Sequence, residues 1–81
     1  MAFQARNLSV LAYANGFTLW HYTTVDPAES VAGEGYFDPA AEMLRPGDVI
    51  FANVDTDAAI AARSYHVATA TDGRVTVAAS G

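Results

Sequence analysis

The chain contains no cysteine, no lysine and no long apolar run within its 81 residues. Without cysteine, a disulfide framework, a zinc-finger type of site and a thiol nucleophile are all excluded. No stretch approaches the ~20 apolar residues that cross a bilayer. The start of the chain lacks the basic-then-apolar pattern of a secretory signal, so we expect synthesis and folding in a cytoplasm.

Positive charge is also scarce. Four arginines stand against nine carboxylates, which gives a formal net charge of −5. The arginines are widely spaced along the chain, so neighbouring residues form no basic stripe. Because such a surface repels phosphate, the composition excludes nucleic acid and anionic membrane as expected partners.

The length predicts a single domain over residues 1–81, because one hydrophobic core is normally built from roughly 50 to 200 residues. Of the residues counted as hydrophobic, 17 are alanines, so the bulk available for a core is small. Domains of this size are commonly stabilised by disulfides, metals or partner subunits. With cysteine absent, we expect a homo-oligomer.

Two dipeptides predict β-hairpins. Asn15-Gly16 and Asp72-Gly73 each lie between apolar runs and tolerate the positive φ angles of a type I′ turn. The first turn predicts pairs that place Val10, Ala12, Leu19 and His21 on one face. The other face then carries Leu11, Tyr13, Trp20 and Tyr22. The second turn predicts a core face with Ala68, Ala70, Val75, Val77 and His66.

The segment between the hairpins is more varied. Asp38 to Leu44 predicts a short helix with Asp38 as N-cap, ended by Pro46-Gly47. Asp48 to Val54 predicts a strand covered on both sides. We interpret 23–35 as loop with a short strand near Val31, and 55–63 as loop or one helical turn capped by Asp57. The fold class predicted is mainly β: a small antiparallel β-barrel or sandwich of about five to six strands with one short helix.

Patterns that carry catalysis or metal binding are weak. Neither His21 nor His66 has another His, Asp or Glu within three positions, and both fall on predicted core faces, so we interpret them as structural. Asp55-Thr56-Asp57 resembles the opening of a calcium loop, but the glycine and the closing glutamate are missing. A glycosidase site would need two carboxylates facing each other across a cleft, and so short a chain has few residues with which to form one. We expect no enzyme activity, catalytic residue, metal or cofactor.

Aromatic side chains are the strongest unusual feature. A row of exposed rings could stack on sugars, whereas the simpler interpretation is core plus subunit interface, because the first hairpin is apolar on both faces. The residues chosen as interface candidates are Leu11, Tyr13, Trp20, Tyr22, Tyr36 and Phe37.

Residues 7–24 and 35–56 together resemble the head-spike base proteins of alphaproteobacterial gene transfer agents and related prophages. The resemblance rests on the order of hairpin, Gly35-Tyr36-Phe37, short helix and Pro46-Gly47-Asp48 turn. It covers about half the chain and leaves the part from Ala58 onward unassigned. It carries no catalytic residues over.

The resemblance implies a virion structural protein. Such a protein is expected to form a homo-oligomeric, pentameric ring on the capsid exterior at fivefold vertices, released from the cell by lysis. Its partners would be the capsid protein and a head spike fibre protein, and through the fibre a cell-surface polysaccharide. The alternative is a small carbohydrate-binding β module with Trp20, Tyr22 and Tyr36 as its stacking platform.

Overall fold

A computed structural model describes residues 3–79 and shows one five-stranded sheet. The strands are β1 (Leu8–Ala14), β2 (Phe17–Thr23), β3 (Val49–Val54), β4 (Ala61–Thr71) and β5 (Arg74–Ala79). They lie in the sheet in chain order, with β1 and β5 at the edges. The mainly β prediction is confirmed, although the sheet does not close into a barrel.

One pair of strands departs from the antiparallel prediction. β2 and β3 run parallel, while every other neighbouring pair is antiparallel. Parallel neighbours need a connection of a dozen or more residues, and residues 24–48, called here the crossover, supply it. The crossover contains the one-turn helix α1 (Ala28–Val31) and a 3₁₀ turn, Asp38–Ala40.

The crossover and one face of the sheet, called here the inner face, form the core. Strand residues alternate between faces, so alternate side chains of β2, β3 and β4 point into this layer. The buried apolar side chains from the sheet are Trp20, Tyr22, Ile50, Ala52, Val54, Tyr65, Val67 and Val75. The crossover contributes Val31, Phe37, Ala40 and Leu44.

Both predicted hairpins are present, and both carry a bulge. In each hairpin, the three predicted pairs nearest the turn are present. In the first hairpin they run from Ala14–Phe17 to Ala12–Leu19, and in the second from Thr71–Arg74 to Thr69–Thr76. The register then shifts between Val10 and Ala12, and again between Val67 and Thr69. An extra residue on one strand reverses which face the following side chains occupy.

The predicted faces are wrong in both hairpins, and the bulge is the cause in the second. In the second hairpin the shift puts Tyr65 and Val67 into the core in place of His66 and Ala68. In the first hairpin the bulge lies in β1 and leaves the alternation along β2 unchanged. The error there was the choice of core face: Trp20 and Tyr22 lie in the core, and His21, predicted to point inward, lies on the opposite face. Neither histidine is therefore a core residue.

Other local predictions are corrected in the crossover and in the loop before β4. The expected helix from Asp38 is only the 3₁₀ turn, and the Asp38 carboxylate does not cap it. Helix α1 occupies the segment predicted as loop. Of the two alternatives for 55–63, the loop is found at 55–60, and 61–63 belong to β4. The Pro46-Gly47 turn is confirmed: Gly47 has φ +96, and the Asp48 amide donates to the Arg45 carbonyl at 3.0 Å.

Candidate functional site: the outer face of the sheet

The structure separates the predicted interface residues into two groups. Trp20, Tyr22 and Phe37 are 8%, 0% and 1% exposed, so they lie in the chain's own core. The hydroxyl of half-buried Tyr36 lies 3.0 Å from that of Tyr22. A stacking platform of Trp20, Tyr22 and Tyr36 is therefore not accessible, and that part of the prediction is wrong. The group left on the surface is Leu11 and Tyr13, 55% and 64% exposed.

A buried carboxylate fixes Trp20 in the inner face. Asp48 is 1% exposed, and its Oδ2 accepts a hydrogen bond from the Trp20 indole nitrogen at 3.1 Å. Its two oxygens also accept from the backbone amides of Thr18 at 3.0 Å and Arg45 at 3.2 Å. A buried charge is stable only when hydrogen-bonded in this way. Asp48 thus ties β2 to the end of the crossover.

A second polar cluster ties the start of the crossover to the core. Tyr36 donates from its hydroxyl to Asp26 Oδ2 at 2.7 Å, and its oxygen lies 3.3 Å from Thr24 Oγ1. Burial raises the pKa of Tyr36 well above its usual range; the Thr24 hydrogen bond opposes this, while those to Tyr22 and Asp26 add to it. The cluster holds the neutral phenol of Tyr36 against the buried carboxylate of Asp26, and we interpret its role as structural.

The opposite face of the sheet, called here the outer face, has no layer over it within residues 3–79. Phe17 and Phe51 are 53% and 45% exposed there, and Leu19 and Val49 are half-buried. Strands β1, β2 and β3 contain no charged residue, and all nine carboxylates of the chain lie outside the five strands. Contiguous exposed apolar surface of this kind marks interaction sites.

Two depressions divide the outer face. The first, called the apolar depression, measures about 270 Å³ and lies beside the Asn15-Gly16 turn. It is lined by Ala12, Ala14, Phe17, Thr18, Leu19, Gly47 and Val49. The second, called the polar hollow, measures about 300 Å³ and lies further along the sheet. It is lined by His21, Phe51, Ala52, Asn53, Ala62, Arg63 and Ser64.

The polar hollow was not predicted from the sequence. It forms because the parallel pairing sets His21 beside Phe51, and the antiparallel pairing sets Phe51 beside Ser64 and Asn53 beside Ala62. The Asn53 amide nitrogen lies 3.4 Å from His21 Nε2. The alternation of Phe51 and Asn53 along β3 was visible in the sequence, but only the crossover topology brings His21 of β2 beside them.

The two edges of the sheet differ. At β5, the Val75 amide donates to Asp38 Oδ1 at 2.8 Å, so a crossover side chain occupies that edge. At β1, the neighbouring side chains Val10, Leu11 and Tyr13 are all more than half exposed. Natural proteins usually protect a free edge with charge or a covering segment, and β1 has no charge. The β1 edge and the apolar depression therefore adjoin as one uncharged surface.

Residues 3–79 contain no group of three His, Cys, Asp or Glu side chains placed to hold a metal ion. The same range contains no helix long and apolar enough to cross a membrane. Comparison with protein-family models, curated proteins and solved structures finds no match for this chain.

Proposed function

We propose that this protein is a virion structural adaptor that oligomerises on the capsid exterior and holds a spike or fibre. The observation that carries the proposal is the part of the outer face formed by β1, β2 and β3, which contains no charged residue, together with the adjoining β1 edge. The chain has a net charge of −5, yet all its carboxylates lie outside the strands. The strands therefore provide a surface without negative charge, which suits contact with another protein. The resemblance in residues 7–24 and 35–56 supports the more specific part of the proposal, the location on a capsid exterior.

The two interface candidates that remain exposed, Leu11 and Tyr13, lie where this proposal needs them. Leu11 lies at the β1 bulge and Tyr13 pairs with Thr18 near the turn, so both border the β1 edge. Protein interfaces are enriched in aromatic side chains and depleted of charge at their centres. Trp20, Tyr22 and Phe37 would support this surface from beneath rather than touch a partner.

The alternative function, a carbohydrate-binding module built on Trp20, Tyr22 and Tyr36, loses its predicted platform because two of the three rings are buried. The adaptor proposal does not depend on that platform.

Binding to DNA-emptied shells from particles assembled without this protein tests the proposal. The purified chain should co-sediment with the shells, and only mildly less at high salt, because screening acts mainly on exposed charges. Phe17→Lys should weaken binding at least ~10-fold, since it places an unpaired charge in an apolar contact. Ile60→Lys is the matched control, because Ile60 is 63% exposed, lies outside the strands and does not line the apolar depression.

Failure of the wild-type chain to bind shells would contradict the proposal, as would binding that depends on packaged DNA. Equal binding by Phe17→Lys and wild type would exclude the outer face as the contact. Analytical ultracentrifugation tests the oligomer separately: a stable folded monomer at micromolar concentration contradicts self-assembly.

A further inference from the structure

The β5 edge of the sheet carries a hydrogen bond of an unusual kind. Alternate residues of an edge strand direct their amide and carbonyl groups away from the neighbouring strand, where another strand could pair with them. In β5 the Val75 amide is such a group, and it donates to Asp38 Oδ1 at 2.8 Å. A side-chain oxygen of the crossover therefore lies where the carbonyl oxygen of an incoming strand would lie.

The backbone around Asp38 fixes its carboxylate in this position. Gly35, three residues earlier, has φ +86, and its carbonyl accepts from the Asp38 amide at 3.2 Å. The 3₁₀ turn that begins at Asp38 ends at Ala40, which is buried in the core. Val75 is 2% exposed and belongs to the same core cluster. Both partners of the hydrogen bond are thus anchored by packing.

Charge also distinguishes this edge from the β1 edge. Glu34, Asp38 and Arg74 line a depression of about 390 Å³ beside β5. Strand β1 contains no charged residue, and its side chains Leu11 and Tyr13 are more than half exposed. The two strands have similar lengths, seven residues in β1 and six in β5. Pairing of β1 of one copy with β5 of the next would be a heterologous contact, which continues one sheet through successive copies.

We propose that Asp38 blocks this contact: its carboxylate occupies the outward amide of β5 and so prevents β1 of a second copy from pairing there. An incoming strand would have to displace the carboxylate, which would then lose this donor in a half-buried position. The block goes beyond the adaptor function, which does not involve β5. It leaves β1 as the edge of the described sheet that is open to a partner.

Sedimentation velocity of the full chain at micromolar concentrations tests the proposal. Asp38→Ala removes the acceptor at the β5 edge. Its weight-average mass should rise at least ~3-fold above that of the wild type, because a heterologous contact adds copies until it closes. Asp38→Asn keeps an oxygen that can accept from the Val75 amide, so this variant should retain the wild-type mass.

A second substitution distinguishes strand pairing from aggregation of a destabilised chain. Leu11→Lys places a charge on β1, and in combination with Asp38→Ala it should return the mass to that of the wild type. Ile60→Lys makes the same charge change outside the strands, and in the same combination it should leave the large assemblies unchanged.

Three results would overturn the block at the β5 edge. They are a wild-type mass for Asp38→Ala, growth of Asp38→Asn to the same extent, and assemblies of Asp38→Ala that respond equally to both lysine substitutions. Binding to shells is measured separately on the wild-type chain, so failure here leaves the adaptor function standing.

Discussion

The two faces of the sheet are built from the same strands but are used differently. The inner face is closed by the crossover and fixed by buried polar ties at Asp48 and Tyr36, whereas the outer face is open and has no charged residue in β1, β2 or β3. Neighbouring residues of one strand belong to different faces: in β3, Ile50 is 0% exposed on the inner face and Phe51 is 45% exposed on the outer face. Stability should therefore depend on the inner face and binding on the outer one.

The largest test of this division is Trp20→Ala. Removing a buried aromatic ring typically costs about 3 to 5 kcal/mol, a large part of the ~5 to 15 kcal/mol that stabilises a domain. We expect a mostly unfolded chain by circular dichroism. Phe51→Ala, on the outer face, should change the free energy of unfolding by less than about 1 kcal/mol. Similar losses for the two variants would contradict the division.

Asp48→Asn tests the polar tie beneath Trp20. The amide retains one acceptor oxygen but turns its NH₂ toward donors, so we expect a loss of about 1 to 3 kcal/mol in urea unfolding. Asp57→Asn is the control, since that side chain is exposed in a turn. If both variants unfold at the wild-type midpoint, Asp48 does not secure the crossover.

Gly16→Val tests the first hairpin turn. Gly16 has φ +83, and a Cβ there would meet nothing within 4 Å, so the cost is that of backbone strain alone. We expect a loss of about 1 to 3 kcal/mol and a lower melting temperature. Thr18→Val introduces the same side chain at an extended strand position and should have little effect. An unchanged melting temperature for Gly16→Val would place the turn elsewhere.

The smallest effect expected is on alkaline stability. Burial raises the pKa of Tyr36 above that of a free phenol, which is about 10, so the unfolded chain loses this proton first. This contribution to stability is present below pH about 10 and falls as the pH rises further. Tyr36→Phe should reduce the fall in melting temperature between neutral and alkaline pH, whereas Tyr13→Phe should not. Equal slopes would argue against a buried neutral phenol.

The parts predicted from the sequence were those encoded by neighbours along the chain. Asn15-Gly16, Asp72-Gly73 and Pro46-Gly47 each carry the residues that positive φ angles require, and all three turns are present. β3 was placed to within one residue, and the mainly β class followed from the same local signals.

The predictions that failed depended on features without a local signal. The residues at the bulges, Leu11 and Ala68, are not glycines, and a single extra residue changes the face of everything beyond it. The first part of the crossover was predicted as loop because its helix is only four residues long, and the helix predicted from Asp38 is a 3₁₀ turn of three residues. Without it, the parallel pairing and hence the polar hollow could not be predicted.

The parallel pairing also sets an order of folding events. Each hairpin joins strands through a two-residue turn and can form within microseconds, whereas β2 meets β3 only after the whole crossover has been closed into a loop. We therefore expect docking of the N-terminal hairpin onto β3 to be the slow, entropically costly step. Mutations in the crossover core, such as at Phe37 or Leu44, should slow refolding, and changes within either hairpin tip should mainly alter the unfolding rate.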